Sequence, residues 1–373
     1  MKIMWFSNAP WLNTGYGRQT RYMIHRLKQA GHEIACLAYT GLENGSLYHE
    51  GILCLPRRHY LYGQDSIAEH CINWGADVLI SLADVWVMNP ETFKDHVKWI
   101  PWYPVDHDPL PTSIKHKLSY ATKRIAMSEY GRDKTNEAGI DCSFIPHGID
   151  TTIYRPRNKK DAREKLGLPN DSFIVGTVAM NKGNPSRKNI VELLTAFRDF
   201  NRLHKDSIYV LHTNLTGPAE DSINIPELVN FLGLEMGKNV YACNQYYNSV
   251  GIPDDYMADF YSALDVHLLV SMGEGFGIPI IEAQACDCPV IVGDWTAMSE
   301  LCFAGRKIDK DDAQAWYTPL GSYQYKPNVG AVTDALCSEY EEPTFSDGIH
   351  EKIHDVYDIN KISASFVDLL NQE

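Results

Sequence analysis

The sequence predicts an α/β protein of two doubly wound domains facing a central cleft. Three observations carry this: two series of apolar runs, helix-like stretches between the runs, and one polar interruption separating the series. The first series is KIMWF, EIACLAY, DVLISLA, KWIPWY, RIAMSE and CSFIPHG; the second is FIVGTVAM, IYVLHTN, NVYAC, VHLLVS and PVIVGD. Near-continuous apolar runs suit parallel strands buried on both faces, whereas half-buried strands alternate. Between the series lies YRPRNKKDAREKLGLPNDS, rich in charge, Pro and Asn. It reads as a linker carrying one short helix, closed by Gly167 with Pro169 just beyond. The expected organisation is an N-terminal domain over 1–157, the linker and second domain over 158–342, and a helical tail over 343–373. That tail is free to pack back on the first domain.

A chain of 373 residues exceeds one ordinary domain. The formal net charge of −14 argues against a generic binder of phosphate backbones. Nine scattered cysteines suit a reducing compartment better than a disulfide framework. Cys286 and Cys288 have no second cysteine pair nearby to complete a zinc site, so they read as packing. No secretory signal is visible, and no apolar segment approaches the roughly 20 residues that span a bilayer. A cytoplasmic protein without stable membrane insertion is expected.

The first apolar run, Ile3 to Phe6, breaks into a segment holding Gly15 and Gly17 before a helix-patterned stretch resumes. Glycines between strand and helix bring backbone close to a phosphate, or simply make a tight turn. Thr20 stands where a dinucleotide fingerprint would have its third glycine, so the spacing alone leaves both readings open.

SMGEGFGIPIIEAQACDCPVIVGDWTAMSEL is more informative. An apolar strand ends in glycines, Pro279 opens a helix, and the helix start offers an anion its N–H groups and dipole. Glu274 precedes the glycines, and Glu282 is expected in the first helical turn. Two carboxylates beside a phosphate would repel it unless hydroxyls of a ribose and a sugar occupy them. A second stretch, MNKGNPSRKNIVELLTAFRDF, places Arg187 and Lys188 just before an amphipathic helix. These cations either reach into the cleft or form a solvated helix start. A third, WIPWYPVDHDPLP, ends a strand in Asp106, His107 and Asp108.

Glu274 and Glu282, seven residues apart around Gly-Phe-Gly-Ile-Pro, match the E-x7-E signature of retaining glycosyltransferases with the GT-B fold. The chain resembles the large group 1 of mannosyl- and glucosyltransferase-like enzymes over nearly its whole length. SNAPWLNTGYGRQT, YPVDHDPLP, SEYGRDKTNEAGI, IPHGID and SRKNIVELLTAF contribute to the likeness. It implies two Rossmann-like domains and transfer of a sugar, hexosyl for preference, from a UDP- or GDP-sugar donor to an acceptor hydroxyl. Neither a metal nor another cofactor is implied.

By the same resemblance, Glu282 holds the ribose hydroxyls and Glu274 a donor sugar hydroxyl. The Phe276 and Gly277 backbone meets the phosphate or sugar, and Asn181, Gly15 and Gly17 also line the donor. Lys188 and Arg187 stabilise the departing diphosphate, although the family's usual Arg is missing after its strand. Either Arg187 or Lys182 replaces it, and GNPS reads as an insertion. Asp106 orients the transferred sugar, with His107 the alternative. Asp106 and Asp108 also spell the D-x-D of metal-dependent transferases. His147 is assigned to a turn, and His350 and His354 to solvated surface. No segment suggests the lysine-bound pyridoxal phosphate of a glycan phosphorylase. Asp287, where the family usually has Gly, leaves open a sugar-nucleotide binder without activity. The acceptor is undetermined among glycan, lipid, protein, small molecule and modified nucleic acid.

Overall fold

The computed structural model describes residues 1–183, 185–217, 222–345 and 348–372. The chain divides into two compact units. Unit 1 comprises Met1–Gly148, Pro319–Ser322 and Ile359–Glu373; unit 2 comprises Ile149–Thr318 and Tyr323–Asp358.

Unit 1 is built on eight strands: β1 (Lys2–Asn8), β2 (Glu33–Thr40), β3 (Leu47–His49), β4 (Ile52–Pro56), β5 (Val78–Leu82), β6 (Lys98–Tyr103), β7 (Ile125–Ala126) and β8 (Ser143–Phe144). Their order is β3-β4-β2-β1-β5-β6-β7-β8, parallel except for the short edge hairpin of β3 and β4. Ile3 to Phe6 are completely buried, as a central parallel strand covered on both faces requires. Helix Gly15–Gln29 follows β1 and buries Tyr22, Met23, Ile24 and Leu27. The indole N–H of Trp5 donates to Thr20 Oγ1 at 3.1 Å, and the Gln19 amide donates to Gly148 O at 2.6 Å. Helix Ile359–Asn371 completes this unit, with Phe366 5.3 Å from Trp102 and 6.3 Å from Trp5 between ring centroids.

Unit 2 carries six parallel strands: β9 (Phe173–Val178), β10 (Ser207–His212), β11 (Val240–Ala242), β12 (Val266–Leu269), β13 (Val290–Gly293) and β14 (Gly305–Ile308). Their order is β11-β10-β9-β12-β13-β14, with a separate antiparallel pair, β15 (Ala313–Tyr317) and β16 (Tyr323–Pro327).

Three expectations about organisation are corrected. The units part at Gly148 and Ile149, not at 157 and 158. The polar segment read as a linker is an integral part of unit 2. Its helix, Lys159–Leu166, ends at Gly167 with φ +67°, and its buried Arg163 donates to Ala263 O at 2.9 Å and Asp265 Oδ2 at 2.7 Å. Part of the segment's charge is paired within the unit, Arg157 with Asp255 and Asp259 and Arg163 with Asp265. The tail is likewise not one piece, because helix Ile349–Tyr357 belongs to unit 2 and only Ile359 onward to unit 1.

Candidate functional site

The loop after β12 is the centre of the site in unit 2. Residues Ser271 to Ile278 are all buried, and helix Ile278–Ala285 begins directly after Gly277. Gly277 has φ +114°, and a Cβ there would stand 2.8 Å from Ile280 Cδ1. The backbone conformation therefore calls for glycine here. Phe276 is buried and lies 5.9 Å from Tyr357 between ring centroids.

A second loop is stitched beside the first. The Met272 N–H donates to Arg187 O at 2.8 Å, and the Asn189 amide donates to Val270 O at 2.8 Å. Asn189, at φ +52°, caps helix Ile190–Leu203 in the left-handed conformation that Asn tolerates better than most residues. This stitching fixes where Arg187 and Lys188 project. Lys188 Nζ donates to Glu274 Oε1, and Arg187 NH1 donates to Gly273 O and lies 3.6 Å from Glu274 Oε2. The Ser271 hydroxyl adds a hydrogen bond of 2.5 Å to Oε1. Burial alone would push the Glu274 carboxyl up, but the two cations and these hydrogen bonds hold it below its ordinary value. Two cations thus converge on one buried carboxylate.

Thr296 braces the same loop from β13. The Glu274 N–H donates to Thr296 Oγ1 at 3.1 Å, and the Ala297 N–H donates to Glu274 O at 3.3 Å. Thr296 makes this clamp at φ +55°, a conformation costly for a β-branched residue. Glu282 lies in the second turn of its helix, not the expected first. It is 2% exposed and accepts the Tyr261 hydroxyl at Oε2, 2.8 Å away.

The structure thus brings Arg187, Lys188 and Glu274 into one charge cluster in unit 2. Asn181 stands apart from that cluster. That side chain is fully buried and ties two loops: its amide donates to Asn214 O at 3.0 Å and Ile223 O at 2.7 Å, and its Oδ1 accepts from Ile223 N–H. Arg187 reaches Glu274 while Lys182 is exposed, which favours Arg187 as the second cation. Asn184, within the GNPS insertion, lies outside the described residues. Asp287 sits at φ +57° in the turn after the helix, so a family glycine there answers a backbone need. That departure is conformational. The sequence reading missed Ser271, Thr296 and Tyr261; only Ser271, three residues before Glu274, had a local signal.

Unit 1 carries the remaining residues. Gly15 and Gly17 lie in the first turn of helix Gly15–Gln29, not in a loop before it. Thr14 caps that helix by accepting the Gly17 N–H at 3.0 Å. A Cβ at Gly17 would stand 2.3 Å from Leu12 O, so this glycine lets the entering chain pack against the helix. Asp106 and His107 are partners: Asp106 Oδ1 is 2.6 Å from His107 Nδ1. The neighbouring Asp108 instead pairs with Lys134 at 3.2 Å. The two carboxylates of the D-x-D reading therefore have separate partners. His147 is buried against Trp102, with ring centroids 4.5 Å apart, and burial pushes its pKa down to about 3. His350 and His354 are not simply solvated. His350 Nδ1 bonds Ala285 O at 2.8 Å, and His354 Nδ1 lies 2.7 Å from Thr151 Oγ1. Cys286 and Cys288 are buried thiols whose pKa values burial drives up. Among the described residues, no helix is long and apolar enough to cross a membrane.

Two α/β units, each built on a largely parallel sheet, with a buried glycine-rich turn at a helix start in unit 2, make up the architecture. Solved structures share it across the whole chain. Sucrose-phosphate synthase from Thermosynechococcus elongatus superposes with a TM-score of 0.79 at 18% identity, covering 100% of this chain and 98% of that one. Anabaena HepE, solved in complex with UDP-glucose, gives 0.71 at 16% identity, covering 100% of both chains. The fold is GT-B. Residues 174–320 match the family model described as glycosyl transferases group 1. A D-inositol 3-phosphate glycosyltransferase of Acidothermus cellulolyticus is 26% identical over 181 residues, 48% of this chain and 39% of that protein. The chain thus spans well under half the length of that relative.

Proposed function

We propose that this protein is a retaining glycosyltransferase that moves a sugar from a nucleoside-diphosphate sugar to an acceptor hydroxyl without a metal ion. The observation that carries the reading is the convergence of Lys188 and Arg187 on the buried turn bearing Glu274. A leaving diphosphate gains negative charge in the transition state, and fixed cations in a partly buried site stabilise that charge without reorganising. In this reading Glu282 accepts the ribose hydroxyls and Glu274 a hydroxyl of the transferred sugar. The Phe276–Gly277 backbone meets the phosphate or sugar. Asp106, partnered by His107, orients the transferred sugar. Separate partners for Asp106 and Asp108 support the metal-free form.

UDP-glucose is the first donor to try, because HepE is solved with it. The nine cysteines, none in a disulfide, support a cytoplasmic location. The test is a panel of UDP-, GDP- and ADP-sugars offered with mixed acceptors, read by mass spectrometry with and without EDTA. Product NMR then reports the anomeric configuration. Turnover that survives EDTA and keeps the donor configuration is expected. Binding without turnover across the panel would leave a sugar-nucleotide sensor, and an inverted product would remove the mechanism.

A further inference from the structure

Glu282 does not stand alone. The helix Asp254–Ala263 packs beside it and directs the hydroxyl of Tyr261 at Glu282 Oε2, 2.8 Å away. Tyr261 is completely buried. Its ring lies 6.3 Å from Tyr154, 5.7 Å from Phe260 and 5.5 Å from His267 between centroids, so the phenol is held on several sides. The phenol donates this bond, and the carboxylate oxygen accepts it. A donor anchored to one carboxylate oxygen fixes the plane of the group. Vicinal hydroxyls of a ribose can be accepted by a carboxylate only when that plane is set for both.

We propose that Tyr261 is a positioning residue which orients Glu282 and thereby makes this site select ribonucleotides over deoxyribonucleotides. The inference rests on the reading of Glu282 as the ribose acceptor. In this proposal Tyr261 acts through Glu282. Its contribution therefore belongs to nucleotide binding, in KM for the donor, and not to the chemical step. Tyr261→Phe keeps the ring among Tyr154, Phe260 and His267 and removes only the donor.

The test is calorimetric titration of the whole protein with UDP and 2′-deoxy-UDP, repeated with GDP and 2′-deoxy-GDP. Wild type is expected to bind the ribonucleotide at least roughly tenfold more tightly than its deoxy analogue, the scale of one charge-assisted hydrogen bond. Tyr261→Phe should lower ribonucleotide affinity by roughly tenfold, leave deoxynucleotide affinity within about twofold, and preserve the melting temperature. The double variant Tyr261→Phe/Glu282→Gln should show the same ribose preference as Glu282→Gln alone. Equal weakening of both nucleotides, or an unchanged preference in Tyr261→Phe, would overturn the role of Tyr261. A wild type with no ribose preference would overturn the assignment of Glu282, and the inference with it.

Discussion

The two units finish their parallel strands in different ways. After β12 in unit 2, Glu274 is buried beneath Lys188 and Arg187, and Ser271 and Thr296 brace its loop. After β6 in unit 1, Asp106 and His107 form one short pair, while Asp108 turns to Lys134. Unit 2 therefore holds a charge arrangement set by its own fold before any ligand arrives. Unit 1 offers a smaller polar pair in a loop. Buried, prearranged charge suits the diphosphate of a donor, whose charge is the same whatever the acceptor. On the proposed function, a lightly built loop in unit 1 leaves room for variation there, in a fold that hosts many functions.

The comparison breaks most visibly at Lys188. Lys188→Ala leaves Glu274 buried with Arg187 as its remaining cation. Stability should fall toward the lower end of about 3–5 kcal/mol in urea denaturation. Turnover should drop roughly hundredfold, in kcat more than in KM, because the cation acts on the leaving group. A normal kcat with altered KM would make Lys188 a binding residue only. Since the Glu274 carboxyl lies below its ordinary value of 4.5, its pairing is complete above that pH and lost as pH falls through the lower, folded value.

A smaller effect tests a feature the units share. Each buries one neutral histidine, His147 in unit 1 and His267 in unit 2, and burial lowers both from 6.5 to about 3. Between those values the unfolded chain binds the proton and the native chain does not. The stability these residues allow is full above pH 6.5 and declines toward pH 3, by up to about 1.4 kcal/mol per pH unit for each. His267→Gln should remove about that slope from the acid limb of a stability–pH series. An unchanged slope would show that His267 is not the group responsible.

The smallest change falls at Asp287. Asp287→Gly should relieve the left-handed backbone and alter stability by no more than about 1 kcal/mol, with turnover unchanged. Lost activity would mean that the turn does more than reverse the chain.

The comparison also explains what the sequence could and could not reveal. Central strands such as β1, β5 and β12 were legible because burial on both faces demands continuous apolar runs. Strands β4 and β14 were not: ILCLP is short, and GRKI, at the edge of its sheet, is polar because an edge faces water. Glu274 and Glu282 were legible through their spacing around glycines that the turn requires. Thr296 and Tyr261 reach the site from distant segments, and nothing in TAMSE or DFYSA announces a contact made only by folding. Gly15 and Gly17 suggested a loop because glycine weakens a helix, yet Thr14 is a capping residue that marks its start.

The central claim is that unit 2 carries donor recognition while Asp106 of unit 1 serves the transfer. Calorimetric titration of UDP and GDP into wild type, Glu282→Ala and Asp106→Asn tests it directly. Glu282→Ala should lose roughly 1.5–3 kcal/mol for each charge-assisted hydrogen bond to the ribose, with the protein still folded. Asp106→Asn should bind the nucleotide as wild type does. Unchanged affinity in Glu282→Ala, or loss of nucleotide binding in Asp106→Asn, would contradict the account.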